Sequence, residues 1–186
     1  MSWIEIIAAV ITAYSIWLAT KENLWYWPTG IVSLVLYTLT FYKARLYGET
    51  LLQIICLGLM IYGWYEWLHG GENRKELPVS RTPLRAWLFL IGAGIAGTAG
   101  TAWLMQRFTD NPAPIVDASI LSFSLVAQLM TARKWLENWI LWTIINVISV
   151  VLYINRHLYP TAVLYVILFI LAVVGYRKWR RSLASA

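Results

Sequence analysis

This chain of 186 residues is 60% hydrophobic and only 13% charged. A water-soluble domain carries roughly a quarter of its residues as charges, so that class is excluded and an integral membrane protein is implied. The net charge of +6 does not point to nucleic acid, because the basic residues flank apolar runs. A single cysteine, Cys56, excludes an intrachain disulfide and reads as a small buried hydrophobe.

Seven apolar segments reach, or come within two residues of, spanning length, for which about 17 to 25 residues are needed. They run Trp3–Ala19, Trp25–Tyr42, Leu51–Leu68, Leu84–Leu104, Ile115–Thr131, Trp139–Tyr153 and Thr161–Tyr176. No basic stretch precedes Trp3, which predicts a retained first helix rather than a cleaved leader. The second segment carries Ser33 and Tyr37, and the third carries Gln53 and ends on Gly63-Trp64-Tyr65-Glu66-Trp67. The charged stretch His69–Pro83, with Gly70-Gly71 and two prolines, is the longest joint and reads as a linker. The fourth segment is rich in small residues, Gly92, Gly94, Gly97 and Gly100 among alanines. Such a face allows close helix packing, and the segment reads as a structural connector. The fifth follows Pro112 and Pro114, holds Gln128 mid-segment, and begins near Asp117, a candidate helix cap. Glu22 and Glu137, at the starts of the second and sixth segments, are read as caps in the same way.

The sixth segment stands out. At 3.6 residues per turn, Trp135, Trp139, Trp142, Asn146, Ser149 and Tyr153 share one face. A carboxamide without a partner is costly in hydrocarbon, which predicts that Asn146 faces a cavity walled by the tryptophans. With 12 Trp and 11 Tyr, the chain has more such rings than interfacial belts require.

Lys and Arg set orientation. Lys43, Arg45, Arg107 and Arg156 fall on one side, and the other eleven of the 15 fall on the opposite side. The N-terminus is therefore expected outside and the C-terminus in the cytoplasm, with Arg177 to Arg181 anchored on anionic lipid.

The chain also resembles itself. At an offset of 115, Glu22-Asn23 meets Glu137-Asn138 and Trp27 meets Trp142. At an offset of 112, Leu46-Tyr47 meets Leu158-Tyr159, Gly63 meets Gly175 and Trp67 meets Trp179. The expected plan is an all-α membrane protein of seven transmembrane helices in one domain. Repeat one covers 3–68, a connector helix 84–104, and repeat two 115–179. The connector makes the two three-helix repeats parallel, with a pseudo-twofold axis along the membrane normal, an arrangement suited to a carrier.

Trp27-Pro28-Thr29-Gly30, Gly63-Trp64-Tyr65-Glu66-Trp67 and Glu137-Asn138-Trp139 with Trp142 and Asn146 resemble the PnuC family of bacterial vitamin transporters. The resemblance spans nearly the whole chain. It implies a SWEET-like fold in the bacterial inner membrane and facilitated diffusion of a vitamin, nicotinamide riboside being the family's best-known substrate. It further implies trapping by cytoplasmic phosphorylation, a site at Trp139, Trp142 and Asn146, and a homotrimer. Relatives carry thiamine, the rival cargo.

The residue chemistry fits such a cargo. Aromatic faces bind a desolvated pyridinium by about 2 kcal/mol. Ribose hydroxyls need donors and acceptors, and carboxamides supply both. The candidate substrate contacts are Trp139, Trp142, Asn146, Gln128, Gln53, Tyr37 and Trp64, with Ser33 as a further hydroxyl. There is no Walker loop, no dinucleotide-binding glycine turn and no His/Cys/carboxylate cluster. An enzyme, a metal or a cofactor is accordingly not expected. The competing class is a seven-helix receptor or scaffold that moves nothing.

Overall fold

The computed structural model describes residues 3–43 and 47–185. Arg45 of the charge count and Leu46 of the repeat lie outside them. The described chain forms seven α-helices: α1 Trp3–Ala19, α2 Tyr26–Lys43, α3 Tyr47–His69, α4 Leu84–Phe108, α5 Pro114–Ala132, α6 Asn138–Asn155 and α7 Tyr159–Ser185. All seven expected segments are helical. The largest difference is α7, which continues through the basic tail because Arg and Lys are good helix formers. The helices α4 to α7 are each long and apolar enough to cross a bilayer, and the described apolar part of α1 is shorter, Ile6–Ala19.

In the bundle, α1, α2 and α3 pack in sequence, as do α5, α6 and α7. The two groups meet where α3 touches α5 and α1 touches α7. The connector α4 lies on α5, and the small residues explain how: a Cβ on Gly94 would strike the Phe123 ring, and one on Gly97 would crowd Ser122.

One end of the bundle is closed by aromatic packing. Tyr26, Trp27, Trp67, Trp139 and Trp179 are buried together with Leu18, Ala19, Ala132 and Leu136. Trp27 stands edge-on to Trp67 at 5.2 Å, and Trp139 stands edge-on to Trp179 at 5.3 Å. Trp27 lies over Gly63, and Trp139 over Gly175. Trp67 Nε1 donates to the Thr131 carbonyl at 3.0 Å, and Trp179 Nε1 donates to the Ala19 carbonyl at 3.0 Å. The corresponding members of the two sets, Trp27 and Trp139, Gly63 and Gly175, Trp67 and Trp179, and Ala19 and Thr131, are each 112 residues apart.

The helix ends follow the same offset. Glu22 (φ 56°) and Lys134 (φ 51°) are left-handed residues closing α1 and α5. Glu22 N–H donates to Ala19 O and Asn23 N–H to Leu18 O; Lys134 N–H donates to Thr131 O and Trp135 N–H to Met130 O. Both are Schellman closures, normally made with glycine. The contacts therefore equate Glu22 with Lys134 and Trp27 with Trp139. The 115-residue register, which aligned Glu22 with Glu137 and Trp27 with Trp142, is corrected: the Glu-Asn identity occurs at two positions with different roles.

The acidic residues read as caps are corrected as well. Glu22 Oε2 pairs with Lys134 Nζ at 3.3 Å. Glu137 Oε2 accepts from both the N–H and the hydroxyl of Thr82, each at 2.8 Å. Asp117 pairs with Arg156 at 2.6 Å. None of the three has a free side chain for a helix N-terminus, because a charged partner or a linker donor claims it. The linker is also ordered: Ser80 pairs in parallel with Trp135, through Ser80 N–H to Lys134 O and Leu136 N–H to Ser80 O.

Candidate functional site

Above the aromatic seal lies a cavity of about 660 Å³, to which all seven helices contribute. Its floor is Tyr26, Met60 and Gln128. Gln128 Nε2 donates to Tyr26 Oη at 3.1 Å and lies 3.0 Å from Met60 Sδ, while Tyr26 Oη donates to Gln128 Oε1 at 3.3 Å. Tyr26 belongs to the first group of helices and Gln128 to the second, so this bond crosses between them.

On one wall, Thr12 and Ser33 share a hydroxyl–hydroxyl bond of 2.7 Å, and Ser33 also donates to the Ala8 carbonyl at 3.0 Å. Those helices place hydroxyls toward the space because their opposite faces, with Val10, Val32 and Val35, are exposed and apolar. Opposite, Trp142 presents its ring, held by an N–H bond to Thr131 Oγ1 at 3.2 Å. Higher up, Tyr153 stacks with Tyr165 at 5.2 Å, both on the lining.

The mouth is charged. Arg156 Nη2 donates to Asp117 Oδ2 at 2.6 Å and to Asn111 Oδ1 at 3.1 Å, and Asn111 Nδ2 donates to the same Asp117 oxygen at 2.6 Å. Eleven residues of α5 separate Asp117 from Gln128, about 16 Å from mouth to floor at 1.5 Å per residue. The cavity thus offers a flat aromatic face, three carboxamides (Gln53, Asn111 and Gln128), several hydroxyls and one neutralised ion pair. That set suits an uncharged-to-cationic, hydroxyl-bearing aromatic molecule. Among the described residues no cluster of His, Cys, Asp and Glu could hold a metal ion.

Of the expected contacts, Gln53, Tyr37, Gln128 and Trp142 are brought together on this lining, with Ser33. Three lie elsewhere. Trp139 is in the aromatic seal, 2% exposed and packed on Trp179, because it sits three residues nearer the closed end than Trp142. Asn146 is buried, 3% exposed, on the face of α6 between Trp142 and Tyr153 but not on the lining. Trp64 points outward from α3 and is 37% exposed. Sequence reasoning did not single out Tyr26, Asn111, Asp117 and Arg156 as lining residues. For Tyr26 the available signal was a phenol immediately before the Trp27-Pro28-Thr29-Gly30 motif.

Known proteins match over the same extent. The model of the nicotinamide mononucleotide transporter family matches residues 2–181. The nicotinamide riboside transporter PnuC of Escherichia coli (strain K12) is 30% identical over 207 aligned positions, covering 98% of this chain and 87% of that one. The riboflavin/roseoflavin transporter RibM of Streptomyces davaonensis is 26% identical, covering 95% and 84%. A crystal structure of the vitamin B3 transporter PnuC superposes with a TM-score of 0.77 at 23% identity, covering 99% of this chain and 83% of that one, and shows the same fold. The extent of the family match and the level of identity together place this chain in the nicotinamide mononucleotide transporter family, a family of membrane transporters.

Proposed function

We propose that this chain is a carrier for nicotinamide riboside, working by facilitated diffusion with alternating access and drawn inward by phosphorylation of the cargo in the cytoplasm. The observation that carries the reading is the central cavity, walled by Trp142 and by carboxamides and hydroxyls, and closed at one end by buried tryptophans. An aromatic face suits the pyridinium ring, and Gln128, Gln53, Tyr37 and Ser33 suit its amide and ribose. Asn146, between two lining residues of α6, is retained as a cargo contact. Trp139 is the ring that cargo would meet as the sealed end opens. The carrier is read as two three-helix repeats at an offset of 112 residues, around the connector α4. The exposed apolar face of α4, with Leu88, Phe89 and Ile95, is available for lipid or for the neighbouring copy in a homotrimer.

Purified protein in liposomes should equilibrate labelled nicotinamide riboside, saturably and without a sodium or proton gradient. Thiamine and riboflavin serve as competitors. An absence of flux at every gradient would end the carrier reading and favour a receptor or scaffold. Accumulation abolished by an ionophore would show ion coupling instead.

The charge count makes a second expectation. A reporter active only in the periplasm, fused after Arg177–Arg181, should stay silent. A strong signal would reverse the proposed orientation.

A further inference from the structure

We infer that Tyr26 competes with the cargo for Gln128, so that recognition of a primary carboxamide at the cavity floor releases the hydrogen bond tying the two groups of helices there. The inference rests on the cavity being the cargo site, as proposed above, and names what Gln128 reads.

The geometry of the floor makes the competition specific. Tyr26 Oη meets both ends of the Gln128 amide, 3.1 Å from Nε2 and 3.3 Å from Oε1. One hydroxyl therefore occupies the edge that presents a donor and an acceptor side by side. A second carboxamide pairs with that same edge through two hydrogen bonds. The other hydrogen of Nε2 points at the Met60 thioether, a weak acceptor at 3.0 Å that offers no donor in return. Two-point recognition of an amide-bearing ring therefore displaces Tyr26, whereas a ring without an amide has no reason to.

Displacement has a structural consequence, because Tyr26 is not an isolated phenol. It is 3% exposed, lies 4.5 Å from the Trp27 ring and 5.9 Å from the Trp67 ring, and so belongs to the seal. Trp67 in turn donates to the Thr131 carbonyl of the other group. The hydroxyl of Tyr26 is the point at which the cavity floor and the closed end share a bond. Tyr26 is thus a positioning residue: it acts on cargo through Gln128 and on the seal through its ring.

The test compares two ligands that differ only in the amide, nicotinamide riboside and ribosylpyridinium, by calorimetry on the purified full-length protein. Tyr26→Phe keeps the ring and removes the hydroxyl. It should lower the Kd of nicotinamide riboside about fivefold, the worth of one neutral hydrogen bond, and leave that of ribosylpyridinium unchanged. Incorporation of a ring-fluorinated tyrosine at position 26 keeps the fold and makes the hydroxyl a better donor. It should raise the Kd of nicotinamide riboside about twofold, again without effect on the other ligand. Gln128→Met should erase the preference for the amide, and adding Tyr26→Phe to it should then do nothing. Equal shifts for both ligands, or no shift in either variant, would overturn the competition while leaving the carrier reading standing. A wild-type protein that binds neither ligand would overturn both. Should Tyr26→Phe fail to fold, the fluorinated protein alone decides the sign.

Discussion

Gly63→Ala is expected to lower the stability of the folded protein by about 3 kcal/mol, the upper part of the range for overpacking a core. An added Cβ would run into the six-membered ring of Trp27. That ring has nowhere to go. Trp27 is fully buried, with Tyr26 at 4.5 Å on one side and Trp67 at 5.2 Å on another. Gly175→Ala should behave alike, since its Cβ would meet the Trp139 ring, itself held against Trp179. The control is Gly92→Ala, where nothing lies within 4 Å of the added atom. There the better helix propensity of alanine should leave stability equal or raised by up to about 1 kcal/mol. Thermal unfolding in detergent reads all three. Equal melting temperatures for Gly63→Ala and Gly92→Ala would mean that the seal is loose enough to accept a methyl group.

Glu22→Gln should cost nearly as much, about 3 kcal/mol, because it strands a buried ammonium. The Lys134 side chain is 6% exposed, and its Nζ lies 3.3 Å from Glu22 and 4.7 Å from the centre of the Trp67 ring. Glu22 is the nearer compensation, and the cation–π contact alone does not replace a carboxylate in a desolvated site. The sign of the second step separates charge from packing. Glu22→Gln combined with Lys134→Met removes both charges and keeps the length of the stem, so most of the lost stability should return. A single variant as stable as the parent, or a double variant worse than the single, would show that the pair does not carry the joint. Arg133 and Glu66 form a second pair nearby at 3.7 Å, but its arginine is about half exposed and solvent screens it.

The helices were legible because every segment that must cross a membrane has to be continuously apolar, and the chain interrupts its apolar runs with Pro, Gly and charge. The polar lining was partly legible for the converse reason. Gln128, Gln53, Tyr37 and Ser33 are polar groups in apolar helices, and burial in protein or a wet space is where such groups go. Depth was not legible. Trp139 and Trp142 share a face of α6, yet one seals and the other lines, and periodicity reports angle around a helix rather than position along its neighbours. The register of the internal resemblance misled at the helix joints for a related reason. Identity of Glu22-Asn23 with Glu137-Asn138 suggested one alignment, whereas the roles, a left-handed closing residue and a ring over a glycine, follow another. Lys134 and Glu22 share no chemistry but a backbone angle. Asp117 and Arg156 escaped for want of proximity in the chain: their 39-residue separation becomes a 2.6 Å contact only once α5 and α6 are packed.

The reciprocal indole bonds also fix an order of events during synthesis. Trp67 needs the carbonyl of Thr131, which is made 64 residues later, and Ala19 needs the indole of Trp179, 160 residues later. The first three helices leave the ribosome before either partner exists, so the Trp67 indole N–H waits for its acceptor, and the Ala19 carbonyl, already held by the Glu22 N–H, waits for its second donor. The fifth helix answers the first debt, and only the seventh answers the second. A chain arrested anywhere between the two would present an open-ended bundle to the machinery that clears unfinished membrane proteins.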